Sequence, residues 1–103
     1  MIRSVIQEAA VSAAKAYQHA EVEPRHVLYA LARHFRQRPD CEAYFAPAKK
    51  ALEPSGSNYG TPKIGEAATA LIDTLKTDDD GLAALRQGMQ SSGDAGGGAA
   101  GTQ

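Results

Sequence analysis

A chain of 103 residues suits one small domain, and its 11 basic and 12 acidic residues leave a net charge of −1. That balance gives no reason to expect nucleic acid or an anionic membrane as partner. The single Cys41 excludes an internal disulfide and suits a reducing cytoplasm, and without a long apolar run the sequence predicts neither a signal peptide nor a transmembrane helix.

In chain order, Ile2, Val5, Ile6, Ala9, Ala13, Ala16, Tyr17 and Ala20 recur at three- and four-residue spacing, which predicts a helix from about Ser4 to His19. Its stripe is rich in alanine and lets a neighbouring helix come close. "EVEP" breaks the pattern. Pro24 suits the first helical position, where its missing N–H costs nothing, and Glu23 sits well at the positive end of the helix dipole. A second helix follows from about Pro24 to Arg36, with Val27, Leu28, Leu31 and Phe35 facing inward.

"RPDCEAYFAPAKKALEP" carries Cys41, Tyr44, Phe45, Ala48 and Leu52 as its apolar set, and Pro47 is expected to split it into two short helices, the second starting at that proline. "EPSGSNYG" is composed of turn formers and reads as a loop. Thr61 as cap and Pro62 at the first position then predict a fourth helix carrying Ile64, Ala67, Ala68, Leu71, Ile72 and Leu75. Asp78 to Asp80 are expected to provide the amino-terminal cap of a last helix with Leu82, Leu85 and Met89. No stretch alternates with period two, so the expected fold is all-α: a small bundle of about five helices over residues 1–90. The Gly/Ala/Ser-rich segment 91–103 is expected to be a flexible linker or tail.

Two stretches resemble the amino-terminal repeat domain of Clp unfoldases. The first is "HAEVEPRHVLYAL", with His19, Val22, Pro24, His26, Leu28 and Leu31 in the family's places after an alanine-rich helix. The second, "YGTPKIGEAATALIDTL", is similar to the opening of the family's second repeat, with Thr61 and Pro62 at its start. The resemblance covers roughly residues 2–76. It implies one full helical repeat and part of a second, because no second His-Leu-Leu segment follows Leu75. Some family domains recognise phosphorylated arginine through an acidic residue just before the motif histidine. Arg25 stands there in this chain, so that ligand is not carried over.

The candidate chemical groups have structural readings beside their functional ones. His19 and His26 read as a clamp on a helix–loop–helix corner, each bonding loop backbone, rather than as a metal or proton-transfer pair. His34 and Cys41 add no CxxC or HxxxH pairing, so no zinc site is expected. Cys41, on an apolar face, reads as a buried inert thiol. No acid–base pair or phosphate-binding loop is present, and the domain is expected to be non-catalytic and without cofactor. For a protein-binding surface the candidates are Arg25, Tyr29, Arg33 and Tyr59. The resemblance implies a cytoplasmic module that binds protein substrates or an adaptor, tethered to ATPase modules beyond the linker, with no nucleic acid or membrane partner. The alternative reading is a freestanding small helical adaptor, or a homodimer that covers the face left by the incomplete second repeat.

Overall fold

The computed structural model describes residues 2–52 and 60–93. It contains five helices: α1 (Ile2–Ala16), α2 (Pro24–His34), α3 (Phe45–Lys50), α4 (Glu66–Asp73) and α5 (Asp78–Gly93). A 3₁₀ turn, Glu42–Tyr44, precedes α3, and two short strands, β1 (Glu21–Val22) and β2 (Lys63–Ile64), precede α2 and α4. Element α2 is the hub, in contact with α1, α3, α4 and α5. It accordingly buries most of its circumference: His26, Val27, Leu28, Ala30, Leu31 and Ala32 are all inside. Its apolar residues lie at the centre of the domain, while Arg33 and His34 in its last turn stay exposed.

The alanines of α1 explain its closeness to α2. Its buried residues are Ile2, Ile6, Ala10, Ala13 and Ala14, which keeps Ile2, Ile6 and Ala13 of the expected stripe but not Val5, Ala16 and Ala20. Those three face outward, Val5 with 48 % of its surface exposed. On the other side of α2, Gly81 and Gly88 stand one heptad apart on α5. A Cβ on Gly88 would lie 2.5 Å from Leu28 Cδ2, and one on Gly81 would lie 2.8 Å from Ile2 Cδ1 and 3.1 Å from Phe35 Cε2. Two glycines thus set how near α5 comes to the centre.

Several expectations need correction. The fold is mostly helical but not all-α: β1 and β2 form a two-stranded parallel sheet with Glu21 opposite Lys63 and Val22 opposite Ile64. Two residues cannot display an alternation, so the pattern that identifies strands was absent. The same pairing corrects the start of α4. Lys63 N–H donates to Ala20 O (3.0 Å) and Gly65 N–H to Val22 O (3.1 Å), which holds the chain extended past Thr61 and Pro62. The helix begins at Glu66 with Gly65 as its cap residue, so Thr61 is no cap and Pro62 is not a first helical residue. Leu75 falls beyond the end of α4 yet is completely buried.

Helix α1 ends at Ala16 rather than His19. Gln18 takes a left-handed conformation (φ 60°), Gln18 N–H donates to Lys15 O, and His19 N–H donates to Ala14 O. That is a Schellman ending, with glutamine where glycine is usual. Helix α2 ends at His34, two residues early. Pro47 does lie in a split segment, but α3 begins at Phe45, which puts the proline inside the first turn, where no helical N–H is lost. Helix α5 starts at Asp78 and runs through Gly93, past the expected tail start at Ser91, and its cap is Thr77, with Asp78 to Asp80 in the first turn instead of at the cap. Its start is a reciprocal capping box: Asp80 N–H donates to Thr77 Oγ1 (3.2 Å) and Thr77 N–H to Asp80 Oδ2 (3.0 Å).

Candidate functional site

The two motif histidines meet at the corner between α1 and α2. The Schellman turn throws His19 inward, and the helix start at Pro24 places His26 on the first turn of α2, facing it. His19 Nδ1 and His26 Nε2 are 2.6 Å apart, with the rings edge to face at 4.9 Å between centroids. Glu23 N–H donates to His26 Nδ1 at 2.8 Å. That nitrogen is therefore an acceptor, and the neutral ring carries its proton on Nε2, which donates to His19 Nδ1. His26 thus satisfies one of the orphan amides of its own helix start while gripping the end of the preceding helix.

This clamp differs in one respect from the expected one: His26 bonds the other histidine as well as loop backbone. Both rings are buried, His26 completely. Burial, aided by neighbouring His19 and Arg25, pushes the His26 pKa down from 6.5 to about 4. At neutral pH the His26 ring is therefore uncharged, which suits architecture. Among the described residues no three His, Cys, Asp or Glu side chains gather as a metal site. Cys41 is fully buried, and its thiol pKa is raised by burial and by Asp40. The neutral thiol is a poor nucleophile.

The proposed surface residues Arg25, Tyr29 and Arg33 are four apart and lie along one side of α2, from half-buried Arg25 and Tyr29 to exposed Arg33. Arg25 is held in place: its Nε lies 3.0 Å from Glu23 Oε1, and its Nη1 donates to Ala51 O (3.2 Å) at the end of α3. Tyr29 is half-buried against Phe45, 5.7 Å between centroids, and Arg33 is exposed. Tyr59 lies outside the described residues.

A concavity lies on a different face. Helices α2, α4 and α5 enclose an open groove of about 520 Å³. Leu28, Leu71 and Ala84 give it an apolar floor, while Thr74, Asp80 and Gln87 supply a polar rim. None of Arg25, Tyr29 and Arg33 lines it. The sequence reading missed this groove because its walls are three helices remote in sequence. The one local signal was the cluster of small residues Ala83, Ala84 and Gly88 on α5, a low surface against which Leu28 packs at Gly88.

Fold and groove define the class: a compact, mostly helical domain with a small parallel sheet, built around one buried helix. A scan against protein-family models gives no match, and searches of curated proteins and of solved structures find none. No helix among the described residues is long and apolar enough to cross a membrane.

Proposed function

We propose that this domain is a non-catalytic recognition module: the cytoplasmic substrate- or adaptor-binding amino-terminal domain of a Clp-type AAA+ ATPase, with the ATPase modules beyond the Gly/Ala-rich segment. The observation that carries the reading is the groove between α2, α4 and α5, whose apolar floor and polar rim suit a short peptide segment bound weakly and reversibly. The motif residues His19, Val22, Pro24, His26, Leu28 and Leu31 add support, since they form the corner from which one groove wall springs. A buried neutral cysteine and a His26 ring held neutral by burial favour binding over catalysis.

The test uses a permanently unfolded probe, reduced and carboxymethylated α-lactalbumin, titrated into isotope-labelled protein. Amide shifts are expected to cluster on Leu71, Ala83, Ala84 and Gln87. Ala83 is exposed on the groove lip, so Ala83→Arg is expected to weaken binding at least tenfold with thermal unfolding unchanged. Shifts confined to the Arg25, Tyr29 and Arg33 strip, with Arg33→Glu as the damaging change, would move the surface to the other side of α2. No saturable shifts would end the substrate-binding reading.

A further inference from the structure

We infer that the His19–His26 pair is an acid-released latch, whose neutral hydrogen bond holds the α1–α2 corner and the β1–β2 pairing closed and whose protonation sets both free. The inference stands on the geometry of the corner and does not rest on the function proposed above.

Four nitrogens lie in a row: the amide of Glu23, Nδ1 and Nε2 of His26, and Nδ1 of His19. The fully neutral state satisfies them all, because Glu23 N–H points at a bare Nδ1 and His26 Nε2–H points at a bare Nδ1 of His19. Adding one proton breaks the row wherever it goes. On His26 Nδ1 it confronts the Glu23 N–H. On His19 Nδ1 it confronts His26 Nε2–H, and moving the His26 proton to Nδ1 only shifts the conflict to Glu23. Every protonated form sets two donors face to face against the completely buried His26 ring, where an unpaired donor is costly.

The electrostatic surroundings act in the same sense. Among the described residues the charges bearing on His26 are His19, from the turn after α1, and Arg25 and Glu23, at the start of α2. His19 and Arg25 oppose its protonation and Glu23 favours it, and the net effect with burial is downward. Tyr17 lies beside His19, 6.2 Å between ring centroids. Glu21 and Lys63, on the two strands, are exposed to solvent.

Between the two histidines runs β1 itself. Val22 is fully buried, and the carbonyls of Ala20 and Val22 accept the amides of Lys63 and Gly65. A corner that opens takes those two hydrogen bonds with it and loosens the root of α4.

The experiment is amide hydrogen exchange on the intact chain, corrected for intrinsic rates, at pH 7 and pH 5, read at Glu23, Lys63 and Gly65. With a pKa of about 4 closed and 6.5 open, protection is expected to fall about 20-fold over that interval. His19→Asn with His26→Gln replaces each bare Nδ1 by an amide oxygen and the Nε2–H by an amide N–H, none of which titrates in this range. Its protection is expected to stay flat. Unchanged protection in the wild type, or an equal fall in the double variant, overturns the latch. If the double variant does not fold, ¹⁵N-detected titration of the wild-type rings decides: both rings titrating near 6.5 while the three amides remain protected overturns it, whereas titration depressed below 6 together with loss of protection supports it.

Discussion

At the scale of single residues the corner concentrates the consequences. His26→Ala would leave Glu23 N–H without its acceptor, His19 Nδ1 without its donor, and a void at a fully buried site. The expected cost is about 2–4 kcal/mol, measured as a shift in the urea midpoint at constant m-value. His26→Gln keeps an acceptor at the third helical position, as in a capping box, and is expected to recover a good part of that loss. Gln18 presents the reverse case. Its φ of 60° burdens a side chain that glycine would not carry, and Gln18→Gly is expected to stabilise by about 0.5–1 kcal/mol, net of the greater freedom of the unfolded chain. A raised Tm is the readout, and a lowered one would mean that the glutamine side chain holds the turn more firmly than its backbone strains it.

At the scale of elements, α5 depends on its capping box and on its glycines. Thr77→Ala removes the acceptor for Asp80 N–H and is expected to cost about 1 kcal/mol, with exchange rising first in the opening turn of α5. Gly88→Leu forces a large side chain against Leu28, where even a Cβ would lie 2.5 Å away. It is expected to cost about 1–3 kcal/mol as α5 moves off α2. The surface ion pairs Arg3 with Asp73 and Arg86 with Asp40 are about half exposed, and solvent screening leaves them little part in stability.

For the molecule as a whole, the depressed pKa of His26 becomes a dependence of stability on pH. The unfolded chain takes up the proton at about 6.5 and the folded one at about 4, so the contribution is complete above 6.5 and is lost as pH falls toward 4. Between those limits the slope approaches about 1.4 kcal/mol per pH unit, a loss of about 2 kcal/mol by pH 5. Denaturant titrations from pH 7 to 5 should show it in the wild type and lack it in His26→Gln. Cys41 offers an independent probe: fully buried and un-ionised, it is expected to react with a thiol reagent only at the rate of opening.

The sequence alone determined whatever neighbouring residues decide between themselves. Pro24 set the start of α2, the acids at 78–80 the start of α5, the apolar spacing of Leu82, Leu85 and Met89 the buried face of that helix, and two histidines seven apart the corner. Each of these rests on capping, helical periodicity or a bond across a short loop, and each can be read within one or two turns of chain. Tertiary structure decided the rest. Thr61 and Pro62 have the chemistry of a helix start, yet the carbonyls of Ala20 and Val22 claim the amides of Lys63 and Gly65 and postpone α4 to Glu66. The groove exists only because α4 and α5 flank α2, and α5 reaches it only because Gly81 and Gly88 carry no side chains. A hydrogen bond or a packing contact between segments far apart in sequence leaves no periodic trace in either of them, so these features appear only once the chain has folded.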